Sequence, residues 1–200
     1  MIKAFALAAA LAAASPALAA ELQIEIAGEA NGTVTVDLFD DVAPQHAERL
    51  ETLAKEGAYD GVVFHRVIDG FMAQTGDVKF GRLGDGLDMR RAGQGGSDLP
   101  NLPAEFSDIP FDRGVIGMAR AGDPKCGGAP GCKERGEFLN SANSQFFIMF
   151  SPAPFLNGNY TVVGKVTGGM DVVDKIKRGT VPNGAVVGEP DHIVSIKVIE

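Results

Sequence analysis

Several short runs of this chain alternate between apolar and polar residues, and this period of two constrains the fold more than any other feature. The alternation is regular in Leu22–Ile26, Thr33–Phe39 and His192–Ile199. Successive side chains of a strand point to opposite faces, so each run predicts a strand with one face buried. Asn31-Gly32 lies between the first two runs and predicts an antiparallel hairpin.

A further run, Asn143–Phe150, is bulky and apolar on both faces, which is typical of a strand covered on two sides. Its alternation separates two sets, namely Gln145, Phe147 and Met149 on one face and Phe146, Ile148 and Phe150 on the other. Gln145 is the polar exception. A buried amide needs a hydrogen-bond partner, which a backbone group or the peptide group of a ligand could supply.

Two segments have helical rather than strand periodicity. Val42–Glu56 carries Pro44 in its first turn, and Gly57 follows it. Small and apolar residues recur in it at helical spacing: Ala43, Ala47, Leu50, Leu53 and Ala54. His46 lies off this stripe, so we expect a solvated side chain. Met170–Lys177 predicts a second, shorter helix.

The elements do not alternate as strand, helix, strand, so a parallel sheet is not expected. Seven or eight short strands and two helices fit a mainly β fold, namely an antiparallel barrel closed on itself and capped by two α-helices. The chain after residue 19 has the length of a single domain, residues 20–200.

Residues 1–19 have the pattern of a secretory signal peptide. Lys3 precedes the apolar run Ala4–Ala14, and Ala17-Leu18-Ala19 supplies a small-residue cleavage motif. The run is shorter than the roughly 20 residues that a membrane-spanning helix needs. We therefore expect cleavage after Ala19 or Ala20, export of the mature chain and no membrane association afterwards.

The formal net charge of −8 argues against nucleic acid as a partner. Binding to phosphates needs clustered lysine and arginine side chains, and no such cluster is present in the sequence. The acidic surface fits a soluble protein, which we expect to be a monomer.

Gly61–Asp77 contains one arginine, Arg66, among bulky apolar residues. Asp69-Gly70 divides the segment into Val62–Val67 and Phe71–Thr75 and predicts a hairpin. Alternation then places Phe64 with Arg66 on one face, and Met72 with Gln74 on one face. Packing alone would explain an arginine with a buried stem and a solvated head. A ligand-binding arginine is the alternative.

Two glycine-rich segments predict loops. Val78–Asp98, here called the glycine-rich loop, contains Gly-x-Gly patterns. A strand before them and a helix after them would be needed for a phosphate site, and neither is present, so a flexible loop is favoured. Residues 121–142, here called the cysteine loop, contain Cys126 and Cys132. In an exported chain a structural disulfide is the simplest interpretation, with free thiols as the alternative. Neither a metal site nor a Cys-x-x-Cys redox pair is indicated.

Four ordered segments resemble the cyclophilins, a family of peptidyl-prolyl cis-trans isomerases. They are Phe64–Ile68 with Gly70–Gln74 and Gly76-Asp77, then Gly117–Ala119 with Ala121-Gly122, then Asn143–Ile148, and finally Phe155-Leu156 with Val162–Val166. The resemblance covers residues 21–200. Together with the signal peptide, it implies a periplasmic bacterial member of the family. It implies an eight-stranded antiparallel barrel with two helices and a site on its outer face.

The resemblance also implies a role for each matching residue. Arg66 would be catalytic. The proline pocket would be lined by Phe71, Met72, Phe147 and Leu156, with Phe155 and Tyr160 beside them. Gln74 and Gln145 would hold the substrate backbone. Ala119 and Ala121 would border the groove, and the main chain of Arg120 would pair with the peptide.

Three positions depart from the family. Phe155 replaces a common tryptophan, Tyr160 replaces the histidine of animal members, and Arg120 replaces a common asparagine and adds a charge beside the groove. The cysteine loop is also longer than the usual connection at that place.

The implied reaction breaks no bond, so neither a cofactor nor a metal is expected. We expect proline-containing unfolded or extended polypeptides as partners, and rotation of their X–Pro bonds during folding as the function. Two alternatives remain open at this point. One is a peptide-binding module without catalysis, and the other is a hydrolase built on Ser144 or Cys126, although the sequence contains no Gly-x-Ser-x-Gly motif.

Overall fold

The structure is a computed structural model that describes residues 20–84, 86–126, 132–180 and 182–199. The predicted signal peptide, residues 1–19, lies outside the described residues. The strands are β1 (Glu21–Ala27), β2 (Gly32–Leu38), β3 (Arg66–Ile68), β4 (Met72–Thr75), β5 (Val115–Met118), β6 (Phe146–Met149), β7 (Val162–Gly168) and β8 (His192–Ile199). The helices are α1 (Pro44–Lys55), α2 (Gly136–Leu139) and α3 (Met170–Val173), with a 3-10 turn at Pro154–Leu156.

All eight strands belong to one antiparallel sheet, in the order β3-β4-β6-β5-β7-β2-β1-β8. The expectation of a closed barrel was wrong, because the sheet curls but stays open between its edge strands β3 and β8. β3 has only three residues, and an isolated bridge between Val63 and His192 joins the chain before β3 to the start of β8. A continuous hydrogen-bonded ladder between β3 and β8, which would close the barrel, would need a longer β3.

Both predicted hairpins are present. Gly70 lies between β3 and β4 with a φ of 66°, as a glycine in such a turn permits. The hairpin of β1 and β2 has a longer connection than predicted, residues 28–31 rather than a tight turn at Asn31-Gly32. The buried Ala30 amide donates to Asp191 Oδ1 at 2.9 Å, and this bond holds the longer connection on the body of the protein.

The alternation of β4 and β6 divides their side chains between two apolar clusters. Ala73, Phe146 and Ile148 belong to the main core inside the curled sheet. Met72, Phe147 and Met149 belong to a second cluster on its outer face. The division predicted from Asn143–Phe150 is thus confirmed, and the strands leave an apolar surface on the outside as well as a core within.

Helix α1 covers the main core with the predicted stripe, since Ala43, Ala47, Leu50, Leu53 and Ala54 are all buried. The expectation for His46 was wrong. Its ring is fully buried, and Nδ1 lies 2.6 Å from Glu105 Oε2. Helical periodicity could not reveal this contact because Glu105 comes from a segment 59 residues away. Burial lowers the pKa of His46, and Glu105 opposes that shift.

The second predicted helix, Met170–Lys177, is observed as the single turn α3, and residues 174–176 continue it only as turns. Helix α2 in the cysteine loop is one further turn that the sequence analysis did not predict. Within the part of the chain that the structure describes, no helix combines the length and the apolar character that crossing a membrane requires.

His65 is a buried histidine between β3 and the glycine-rich loop. It is 4% exposed, and neither ring nitrogen has a hydrogen-bond partner among the described residues. Gly93 has a φ of 94° and a Cβ placed on it would lie 3.1 Å from the ring, so a side chain there would be strained and would crowd the histidine. Burial lowers the pKa of His65 to about 4, although the nearby Asp77 carboxylate opposes the shift. The fold therefore holds a neutral imidazole.

We expect the Leu50→Ala variant to lose about 2–5 kcal/mol of unfolding free energy, because a fully buried side chain of α1 leaves a cavity in the core. Urea unfolding followed by circular dichroism measures this loss. Glu48→Ala, at an exposed position of the same helix, is the matched control and should change the free energy by less than about 0.5 kcal/mol. Equal losses in the two variants would contradict the assignment of the buried face.

Stability should fall as the pH drops from the ordinary histidine pKa of 6.5 towards 4. Over this range the unfolded chain takes up a proton at His65 that the folded chain does not, so unfolding becomes more favourable. The effect should level off below pH 4. Integrated over the shift it amounts to about 3 kcal/mol.

Unfolding free energies of the wild type and of His65→Gln, measured between pH 7 and pH 4, test this expectation. The variant should lose less stability with acidification than the wild type, whatever its stability at pH 7. Parallel pH profiles would show that His65 is not the group responsible.

Candidate functional site

The hairpin of β3 and β4 and the neighbouring strand β6 place three side chains together on the outer face of the sheet. Arg66 is in register with Gln74, and Gln74 is in register with Phe147. Because opposed residues of paired strands share a face, the arginine, the amide and the aromatic ring adjoin one another. Phe64 was expected on this face as well, which was wrong. β3 begins only at Arg66, and Phe64 packs in the main core.

These side chains line a pocket of about 290 Å³, here called the apolar pocket. Its lining consists of Arg66, Phe71, Met72, Gln74, Ala119, Arg120, Phe147, Phe155, Leu156 and Tyr160. All ten are residues to which the sequence analysis gave a place at the site. The structure brings them together from β3, β4, β6 and the segments around residues 120 and 155–160.

Aromatic contacts shape the apolar pocket. The ring of Phe147 stacks on that of Phe111 and meets the ring of Tyr160 edge-on, with 5.8 Å between centroids in each pair. Phe71 and Phe155 contact each other at 5.5 Å, and Phe155 is 69% exposed at the rim. Rings in these arrangements attract one another and bury much apolar area, so the pocket suits a small apolar ring.

Arg66 brings a positive charge to the apolar pocket. Its Nε donates to the carbonyl of Asn183 at 2.9 Å, and Nη1 donates to Gln74 Oε1 at 3.3 Å. Within the residues that the structure describes, no carboxylate forms an ion pair with it. Burial lowers the pKa of Arg66 while Tyr160 opposes the shift, and an arginine so placed remains a cation at neutral pH. Its charge is held in position but is not neutralised.

A directed series of hydrogen bonds continues from Arg66 through two amides. Gln74 Nε2 donates to Gln145 Oε1 at 3.0 Å, and Gln145 Nε2 donates to the carbonyl of Gly95 at 2.7 Å. The partner that Gln145 needs is therefore a side chain on one side and a backbone group on the other. Each amide has one orientation because its neighbours fix which atom donates.

Asp77 holds the glycine-rich loop in place for this series. Its buried carboxylate accepts hydrogen bonds from the amides of Gly93 and Gly95 at 2.7 and 2.9 Å, as well as from those of Lys79 and Phe80. The sequence analysis gave Asp77 no role, and it expected the loop to be merely flexible. Asp77 directly follows Gly76 at the end of the hairpin, and an aspartate there signals a turn, but its partners 16 and 18 residues away could not be located from sequence.

The glycine-rich loop also forms a second concavity of about 480 Å³, here called the glycine-loop depression. Ala121 and Gln145 lie here rather than in the apolar pocket. Gln74, Ala119 and Arg120 line both concavities, so the two join into one groove. A groove of this form can take a chain that extends beyond a single ring.

Arg120 lies beside the groove, where the sequence predicts an added charge, and this charge is paired with a carboxylate. Its guanidinium lies 4.4 Å from the centroid of the Tyr160 ring and 2.5 Å from Glu134 Oε2. Nε and Nη2 both donate to the carbonyl of Asn159. The charge and the hydrogen-bond donors of Arg120 are thus satisfied by groups of the protein itself.

Two side chains considered as nucleophiles are not free to react. Ser144 is fully buried, and its hydroxyl donates to the carbonyl of Gly76 at 2.7 Å. Cys126 forms a disulfide with Cys132. These contacts argue against a hydrolase. In the described part of the chain, histidine, cysteine and acidic side chains form no cluster of three or more that could hold a metal ion.

The model of the family "cyclophilin type peptidyl-prolyl cis-trans isomerase/CLD" matches residues 22–198. A protein of Brucella suis named a probable peptidyl-prolyl cis-trans isomerase is 54% identical over 168 residues, which are 84% of this chain and 78% of that protein. A peptidyl-prolyl cis-trans isomerase of Helicobacter pylori is 37% identical over 154 residues, 75% of this chain and 78% of that protein.

Among solved structures, a cyclophilin type peptidyl-prolyl cis-trans isomerase of Cryptosporidium parvum shares the fold. The TM-score is 0.67 at 24% identity, with 90% of this chain and 97% of that chain covered. A second structure of that protein, in the presence of the dipeptide Ala-Pro, matches with the same TM-score and covers 99% of that chain. The family match over nearly the whole described chain and the closely similar relatives agree with the site geometry: the chain belongs to the cyclophilin-type family and is a peptidyl-prolyl cis-trans isomerase.

Proposed function

We propose that this isomerase rotates X–Pro bonds of exported polypeptides and that Arg66 is its catalytic residue. The observation that carries the proposal is an arginine without a carboxylate partner, held at the edge of a pocket of aromatic and aliphatic side chains. An arginine that served packing alone would extend its head into water. Here the arginine lines the pocket, and its guanidinium donates to protein groups that fix its direction.

The arrangement suits the chemistry of the X–Pro bond. Rotation meets a barrier of about 20 kcal/mol because the planar amide is stabilised by resonance. In the twisted transition state this resonance is lost, and the proline nitrogen gains a basic lone pair. A guanidinium directed at that nitrogen or at the carbonyl oxygen favours the twisted state over either planar one. The partial burial of the guanidinium strengthens the interaction, because water screens its charge less there.

Each neighbouring group has a part in this proposal. Phe147, Met72 and Leu156 hold the proline ring still while the residue before it turns. Gln74 keeps Arg66 in direction, and Gln145 continues the support to the backbone of Gly95. The glycine-loop depression takes the chain on the far side of the ring. A structure of the Cryptosporidium relative in the presence of Ala-Pro supports a proline-containing peptide as ligand.

We further propose that the protein works in the periplasm and assists the folding of exported chains there. The signal-peptide pattern of residues 1–19 supports export. The Cys126–Cys132 disulfide supports an oxidising compartment, because such bonds persist outside the reducing cytosol.

We expect Arg66→Ala to lower kcat/KM for an Ala-Pro peptide by about 100- to 1000-fold, because the positioned charge acts mainly in the transition state. The affinity for the peptide should change by only a few-fold, since the apolar pocket remains. A protease-coupled or NMR exchange assay measures the rate, and isothermal titration measures the affinity.

Arg113→Ala is the matched control, because it removes an exposed arginine that pairs with Asp174 away from the pocket. It should keep the wild-type rate. Full activity in Arg66→Ala would exclude the catalytic role of Arg66, and a common loss of rate and affinity would show a role in binding instead.

Export predicts a definite processed product. Expressed in a bacterial host with its own first 19 residues, the protein should be recovered from the periplasmic fraction, with a mass that corresponds to a first residue of Ala20 or Glu21. A variant in which Ala17 and Ala19 are both changed to arginine should remain unprocessed, since signal cleavage requires small residues there. Recovery of the unprocessed wild type from the cytosol would disprove export.

A further inference from the structure

The two ends of the cysteine loop are held together next to the site. Asp123 is buried, and its carboxylate accepts from Arg135 Nε and Nη2 at 2.9 and 3.0 Å and from two backbone amides. Arg135 holds the pKa of the Asp123 carboxyl well below its usual range. The Cys126–Cys132 disulfide joins the chain a few residues inside these ends. The backbone at Glu134, which is next to Arg135, is therefore held in place.

Glu134 reaches from this loop to Arg120 in the wall of the apolar pocket. The side chain of Arg120 is 5% exposed and that of Glu134 is 20% exposed, with 2.5 Å between Nη1 and Oε2. Oε2 of Glu134 is buried from solvent and accepts no hydrogen bond of regular geometry from the described residues, so the ion pair with Arg120 is what offsets its charge. The other oxygen, Oε1, accepts from the Asp123 amide at 3.5 Å. Two charges removed from water in this way are costly unless each has the other as partner.

Arg120 in turn packs on the ring of Tyr160. Its guanidinium carbon is 4.4 Å from the ring centroid, an arrangement in which a cation is attracted to the aromatic face. The Tyr160 ring also meets Phe147 edge-on, and all three residues line the pocket. A continuous set of contacts thus leads from Glu134 through Arg120 and Tyr160 to Phe147.

We propose that Glu134 is a positioning residue of the isomerase site. It fixes Arg120 over Tyr160 and offsets the Arg120 charge, so that Arg66 is the cation left unpaired of the two arginines that line the pocket. The inference rests on the proposed function of the apolar pocket. None of the proposed catalytic steps uses the cysteine loop. In this proposal the loop supports the pocket wall through the contact of Glu134 with Arg120.

The expected consequence concerns binding more than turnover. Without the carboxylate, Arg120 keeps only the neutral carbonyls of Asn159 and Ala121 as hydrogen-bond acceptors among the described residues. Its charge is then unpaired and its guanidinium can shift on the Tyr160 ring, so the wall that holds the proline ring loosens. Arg66 and its partners Gln74 and Asn183 are untouched. KM and the peptide dissociation constant should therefore rise, while kcat stays near the wild-type value.

The test uses Glu134→Gln in the complete protein, which keeps the shape of the side chain and removes its charge. With an Ala-Pro peptide we expect KM and the dissociation constant to rise by about tenfold and kcat to change by less than twofold. The matched control is Glu137→Gln, three residues further along the loop. Glu137 pairs with Arg135 and does not line the pocket, so both constants should be unchanged.

A double-mutant cycle separates action through Arg120 from general loosening of the loop. In the Arg120→Asn background, Glu134→Gln should have no further effect on the dissociation constant. Additive effects would overturn the proposal, as would an unchanged dissociation constant in the folded Glu134→Gln single variant. Thermal unfolding of each variant establishes that it is folded.

Tyrosine fluorescence gives a second readout that a purely structural role would not move. The chain has no tryptophan and two tyrosines, Tyr59 and Tyr160. Tyr59 is buried in the main core and donates to the Ser144 carbonyl. A change in emission in Glu134→Gln, absent from Glu137→Gln, would therefore report the Arg120–Tyr160 contact, and identical emission would count against the proposal.

The outcomes also distinguish this inference from the proposed function. If Arg66→Ala abolishes catalysis while Glu134→Gln behaves as the wild type, only the positioning role fails. If Arg66→Ala remains fully active, the proposed function fails, and the dissociation constants of the cycle still decide whether Glu134 supports the peptide-binding wall.

Discussion

The site depends on keeping a guanidinium charged and directed while it is partly removed from water. A cation loses hydration there, which the lowered pKa of Arg66 reflects. The loss is offset by the Asn183 carbonyl and the oxygen of Gln74, which accept hydrogen bonds but bring no negative charge. A carboxylate at either place would stabilise the arginine better, yet it would offset the positive charge that the proposed mechanism directs at the X–Pro bond. The proposed role of Arg66 therefore requires neutral acceptors.

This arrangement uses both faces of the same strands. In β4 and β6 one set of residues closes the main core while the alternate set forms the pocket. A slip of one residue in their register would exchange the faces, placing Gln74 in the core and Ala73 in the pocket. Packing inside the sheet therefore fixes the geometry outside it. The placement of the strands therefore follows from the packing of the core, and the hydrogen bonds of Gln74 and Asn183 then set the direction of Arg66.

Sequence reasoning was most effective where the signal is local. The alternation in Asn143–Phe150 separated core from pocket residues, and the stripe of α1 identified its buried face. It failed where a partner comes from a distant segment. Glu105 pairs with the buried His46, and Glu134 pairs with Arg120. The Asp77 carboxylate accepts hydrogen bonds from the amides of Gly93 and Gly95, 16 and 18 residues further along the chain. The open edge of the sheet escaped as well, because closure depends on the length of β3 rather than on its pattern.

The salt bridge of Asp123 and Arg135 has a consequence for how such a protein can diversify. Because the pair holds both ends of the cysteine loop together, a change in the length of the segment between them would leave in place the strands that line the pocket. Glu134, next to this junction, nevertheless contacts Arg120 in the pocket wall. If Glu134 and Arg66 have the proposed roles, exchanging this peripheral insertion would change which chains the enzyme prefers and leave the reaction itself unaltered.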